Sequence, residues 1–90
     1  MILGKRNAKY EGKFIKMQSG RVKGYVVEDY QNAVRVLILE CDKRYHEPED
    51  IVGCKILYPR GSTVFTIVER DDEVIRLMKL LNRIMVTRSI

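Results

Sequence analysis

Ninety residues, 46% hydrophobic and 32% charged, are too few for two domains and too apolar for a disordered chain. No uncharged stretch reaches the length of a membrane span, and Gly4, Lys5 and Arg6 interrupt the start before an apolar signal region can form, so the default expectation is a cytoplasmic protein. The net charge of +5 is unevenly spread: residues 1–27 carry seven cations against the single acid Glu11. A basic end of this kind is the electrostatic footprint of a polyanion partner, although solvated basic faces are common in small proteins.

Residues 1–9 lack periodicity and are expected to be a flexible basic arm, leaving residues 10–90 as one domain. Beyond Tyr10, runs rich in Val, Ile, Leu, Tyr and Phe alternate with turn residues. The spacing predicts strands at 13–18, 21–28, 33–41, 54–58 and 63–69.

A two-residue turn at Ser19-Gly20 sets the register of the first hairpin. Met17 then faces Val22, Lys16 faces Lys23, Ile15 faces Gly24 and Phe14 faces Tyr25. Ile15, Met17, Val22 and Val26 form a core face, while Phe14, Lys16, Arg21, Lys23 and Tyr25 share the other. Lys16 opposite Lys23 is repulsive and is best tolerated where an anion lies between them. Cations beside two rings suit a nucleic acid, whose phosphates they neutralise and whose bases stack on flat rings. The competing expectation is that Phe14 and Tyr25 form a second core face beneath a helix.

In the third strand Leu37, Leu39 and Cys41 alternate with Val34, Val36 and Ile38, so both faces are apolar. This strand is expected at the centre of the sheet, with the helix over Leu37 and Leu39. The connection 42–53 contains Glu47-Pro48-Glu49-Asp50, an acidic stretch with a helical turn expected at Pro48.

Asp71, Asp72 and Glu73 open the last element and Arg76, Lys79, Arg83 and Arg88 follow, matching the helix dipole. A helix over 71–87 is predicted, with Val74, Leu77, Met78, Leu81, Ile84 and Met85 on the sheet side. Ile75 and Leu80 fall on its flanks. They suggest a homodimer interface rimmed by Arg76 and Arg83, or alternatively a cover supplied by the arm or by a protein partner.

Five strands and a C-terminal helix define a mainly β fold, expected as a small SH3-like barrel with an oligonucleotide-binding (OB-like) barrel as the alternative. Gly20, Val22 and Gly24, followed by Val26 and Val27, resemble the strand pairs of Tudor and ribosomal-type SH3-like modules. That resemblance implies a fold and no function.

Catalytic chemistry is poorly provided for. His46 is the sole histidine and falls in a charged loop, and Ser19 and Ser62 occupy turns rather than a nucleophile elbow. Cys41 and Cys54 are unpaired in sequence and read as reduced core thiols, so neither a metal nor a cofactor is expected.

The sequence therefore predicts a non-enzymatic binding module of low sequence specificity. Lys5, Arg6, Lys9, Lys13, Lys16, Arg21 and Lys23 are its expected phosphate contacts, and Tyr10, Phe14 and Tyr25 its stacking rings. The alternative is a protein-interaction adaptor or regulator that uses the helix flank or the acidic 47–50 loop.

Overall fold

In the computed structural model, which describes residues 2–88, five antiparallel strands form one sheet in the order β4-β3-β2-β1-β5. The strands are β1 (Phe14–Met17), β2 (Val22–Asp29), β3 (Ala33–Cys41), β4 (Lys55–Pro59) and β5 (Thr66–Ile67). A short helix α1 (Pro48–Ile51) precedes β4, and α2 (Asp71–Arg88) ends the described chain. Pro48 occupies the first turn of α1, where its missing N–H costs nothing.

The β1–β2 hairpin has the register that its two-residue turn dictates, with Phe14 opposite Tyr25, Ile15 opposite Gly24, Lys16 opposite Lys23 and Met17 opposite Val22. Ser19 and Gly20 take positive φ values of 58° and 84°, and the Arg21 N–H donates to the Gln18 carbonyl at 3.1 Å. Positive φ at both central residues matches the turn to the strand twist, and glycine meets it without strain.

The sheet is buried on both faces. On one, Ile15, Met17, Val22, Val26, Val34, Val36, Ile38 and Cys41 form a cluster closed by Tyr10, Ile51, Val52, Ile56, Tyr58, Phe65 and Ile67. On the other, Phe14, Leu37, Leu39 and Val68 pack against Leu77 and Leu81 of α2. Leu37 and Leu39 therefore seat the helix as their spacing predicts.

Four expectations are corrected. The sheet does not close into a barrel: β4 and β5 are its two edges and do not pair with each other. β5 is only two residues long because the chain before it leaves the ladder, where Phe65 turns onto Tyr10 with ring centroids 5.5 Å apart. The central strand is β2, with β3 internal beside it. Cys41 belongs to the face opposite Leu37 and Leu39, because the pairing of β2 with β3 shifts register twice, between Lys23 and Gly24 and between Val26 and Glu28. Each bulge inserts one unpaired residue and reverses the alternation beyond it. Leu39 is the extra residue in the first, so Glu40 stays on the helix side and Cys41 turns to the other.

The segment expected as a flexible arm makes backbone hydrogen bonds along the second half of β2 and the turn after it. The Asn32 N–H donates to Leu3 O at 3.0 Å, Gln31 N–H to Lys5 O at 2.7 Å and Asn7 N–H to Asp29 O at 2.8 Å. Gly12 N–H and Lys13 O then bond Val26 at 3.0 Å each. Residues 2 and 3 accordingly lie at the β2–β3 turn; Met1, the head of that arm, is outside the described residues.

Candidate nucleic-acid interface

The hairpin face expected to receive bases is the face that receives α2. Phe14 is 8% exposed, and its ring contacts that of Tyr25 in a tilted arrangement with centroids 5.4 Å apart. Both belong to the cluster built on Leu77 and Leu81. A base has no access to the Phe14 ring, and Tyr25 is half-buried against the same cluster.

The lysine pair on this face is answered from within the chain. Lys23 Nζ lies 2.8 Å from a Glu73 carboxylate oxygen and 3.6 Å from one of Glu40. Arg76 donates to Glu40 and stands 3.9 Å from Glu73. The Lys23 ammonium is the first cause holding the Glu73 carboxyl below its ordinary value, with Lys16 and Arg76 adding to it. The anion that Lys16 opposite Lys23 requires is thus Glu73, placed there by the first turn of α2. Ion pairing of this carboxylate favours folding above the ordinary glutamate range, and that contribution is lost as pH falls through the lowered value.

Lys23→Glu consequently acts opposite to what the cross-strand repulsion alone suggests. It puts a third carboxylate beside Glu40 and Glu73 and is expected to cost about 1–2 kcal/mol, lowering the thermal midpoint by roughly 5–15 °C. A midpoint equal to or above the parent's would show that the intramolecular anion does not offset the lysine pair.

The N-terminal segment holds the other expected contacts. Its anchor is Asp29, fully buried, which accepts Arg60 Nη2 at 3.0 and 3.1 Å, Arg60 Nε at 3.2 Å and the Tyr10 N–H at 2.9 Å. Tyr10 is half-buried, with the Arg60 guanidinium 5.0 Å and Lys9 Nζ 5.3 Å from its ring centroid. Those contacts and Phe65 occupy Tyr10 as a stacking surface.

Arg6 is engaged by Glu11 and lies over the Tyr30 ring. Tyr30 in turn donates to Glu28, a bond that leads the causes lowering the Glu28 carboxyl, and Arg35 pairs with the same carboxylate at 2.9 Å. Lys5, Lys9 and Lys13 are exposed and form no ion pair among the described residues. Arg21, also exposed, sits at the hairpin tip and helps to lower the Asp42 carboxyl, which Arg44 lowers most.

On α2 the expected flank is rotated. Leu80 packs toward the sheet with Val74 and Ile84, whereas Met78 and Met85, expected on the sheet side, are 46% and 57% exposed. Ile75 is exposed as expected, Arg76 is tied to Glu40, and Arg83 is exposed. The helix settles on Leu77, Leu81 and Ile84 because Phe14 and Val68, near the β1 side, supply part of its seat.

Cys41 is buried, and burial pushes its thiol up; Cys54, expected in the core, is exposed. His46 is exposed, with Nδ1 3.2 Å from the Glu47 carbonyl. Among the described residues no three His, Cys, Asp or Glu side chains converge to hold a metal ion, and no helix is long and apolar enough to cross a membrane. Comparison with protein-family models, curated proteins and solved structures found no match to this chain.

Proposed function

We propose that this protein is a non-catalytic module that binds the phosphate backbone of nucleic acid through its N-terminal edge. The observation that supports this reading is the set Lys5, Lys9 and Lys13, exposed and without a carboxylate partner among the described residues, on a segment held against β2. Arg21 at the hairpin tip extends the positive surface. Phosphate contact without base stacking is the expected mode, since the rings of Phe14 and Tyr10 are occupied by the protein itself. The meander from β1 to β4, with β5 returning to β1, favours the SH3-like reading of the open sheet over the OB-like one.

Counterion release makes the test quantitative. With about three phosphate contacts, log K against log salt should fall with a slope of about −3 on duplex DNA and about −2 on a single strand. Each of Lys5→Gln, Lys9→Gln and Lys13→Gln should reduce the slope by about 1 and weaken random sequences equally. Fluorescence anisotropy with labelled 20-mers measures both. Undetectable binding at low salt, or affinity that does not respond to salt, would sink the proposal.

A further inference from the structure

The outer edge of β1 is only partly covered, because β5 pairs with it at Ile15 and Lys16 and the chain before Thr66 lies outside the ladder. Three open clefts adjoin along this edge and around the hairpin tip. The first, about 410 Å³, lies between the hairpin and the start of α2, where Lys16, Lys23, Arg70 and Arg76 face Asp72 and Glu73. The second, about 400 Å³, shares Lys16 with the first and passes Thr66, Ser19 and Gly20. The third, about 180 Å³, shares Ser19 with the second and ends on Gln18, Ser62 and Thr63.

The two ends of this groove differ in chemistry. At the charged end Lys23 and Arg76 are held by Glu73 and Glu40, but Lys16 forms no ion pair among the described residues and feels Glu73 only at longer range. Arg70 pairs with Asp72 at the surface, their side chains 79% and 71% exposed, so water screens that pair and Arg70 can turn to another anion. The far end is uncharged. Ser19, Ser62, Thr63 and Thr66 offer hydroxyls and Gln18 an amide, groups that both donate and accept. Among the described residues no aromatic ring lines any of the three clefts.

A ligand matched to this groove presents an anion to Lys16 and Arg70 and hydroxyls to the far end, and gains nothing from a stacked ring. A sugar-phosphate backbone has the anion, and ribose adds a 2′-hydroxyl, both donor and acceptor, that deoxyribose lacks. An acidic peptide supplies the charge without the hydroxyls. Lys13 of the N-terminal edge precedes Lys16 by three residues, roughly 10 Å of extended chain, so one strand reaches both. Given that the protein binds nucleic-acid backbone, the reading on which this rests, we infer that the groove holds the backbone of single-stranded RNA. Its phosphates lie against Lys16 and Arg70, and its ribose hydroxyls meet Ser62 and Thr63.

Oligouridylate and oligodeoxyuridylate of 12 nucleotides have the same bases and charge and differ only at the 2′-position, so fluorescence anisotropy of the two isolates the hydroxyls. The RNA should bind at least about threefold tighter, the contribution of one net hydrogen bond. Ser62→Ala combined with Thr63→Val, in the loop before β5, should bring the RNA down to the DNA value with the thermal midpoint within a few degrees of the parent's. Lys16→Gln and Arg70→Gln should each lower the single-strand salt slope by about 0.7. Amide shifts of the isotope-labelled protein should move at Lys16, Ser19, Ser62 and Thr66. Salt-dependent binding with equal affinity for the two oligonucleotides, or with shifts confined to residues 5–13, would overturn the groove and leave the N-terminal edge standing. Shifts at the groove with Lys5→Gln, Lys9→Gln and Lys13→Gln all without effect would support the groove and overturn the edge, and no binding of either oligonucleotide would remove both. Polyglutamate of equal charge binding as tightly as the RNA would also overturn the groove as a ribose site.

Discussion

Asp29→Ala is expected to remove about 3–5 kcal/mol of folding free energy, the typical loss when one partner of a buried ion pair is deleted. Asp29 is fully buried, and its carboxylate is the shared acceptor for the Arg60 guanidinium and the Tyr10 N–H. Truncation leaves both donors facing a void. Arg60 is 22% exposed at its side chain, so water recovers part of its solvation and the lower end of the range is the better expectation. A domain of this kind has only about 5–15 kcal/mol in total, so even the lower figure is a large share. Asp29→Asn keeps an acceptor and should cost less than alanine. Urea unfolding followed by circular dichroism measures the loss, and a cycle with Arg60→Met separates the pair from the packing of either side chain. The same substitution should speed hydrogen exchange at Tyr10, whose N–H loses its acceptor. A cost below about 1 kcal/mol would mean that Asp29 is not the anchor of the N-terminal segment.

The parts of this fold that were legible in sequence are those set by short-range rules. A side-chain period of two and a two-residue turn fix the register of the first hairpin, and an acidic first turn followed by cations marks α2. What escaped is whatever depends on a departure from regularity or on a distant partner. Strict alternation places Cys41 with Leu37 and Leu39, and a bulge at Leu39 reverses it. The pairs Asp29–Arg60 and Lys23–Glu73 join residues far apart in sequence, and no periodicity announces them. One signal did exist: a cross-strand lysine pair asks for an anion, and the acidic start of α2 was the nearest supply within the chain. Alternation groups the residues of the hairpin's outer face but leaves two occupants open, a nucleic acid or a helix, and Phe14 and Tyr25 lie under the protein's own helix. For α2 itself, 100° steps define an apolar arc wider than one seat, and the sheet alone decides which part of that arc is covered.

Leu77 and Met78 put that choice of seat to a direct test, since they are adjacent in sequence and both belong to the arc that periodicity assigns to the core. Leu77 is fully buried among Phe14, Leu37, Leu39, Val68 and Leu81, whereas Met78 is 46% exposed. Leu77→Ala removes the side chain at the centre of the helix seat and is expected to cost about 2–5 kcal/mol, through lost burial and the cavity left behind. Met78→Ala removes a similar volume from a surface already half in water and should stay within about 1 kcal/mol. The difference has a structural consequence beyond its size. A helix of 18 residues is marginal by itself, so loosening its seat frees α2 as a unit and with it Glu73, the counter-charge of Lys23. Leu77→Ala should therefore reduce the stabilising effect of Glu73 as well, making the cost of Glu73→Gln smaller in the Leu77→Ala background than in the parent. Thermal melts of the two single variants and of the double variant read all three quantities. Equal costs at positions 77 and 78 would place the helix in a different rotation on the sheet, and strict additivity of Leu77→Ala with Glu73→Gln would mean that the ion pair survives without the apolar seat.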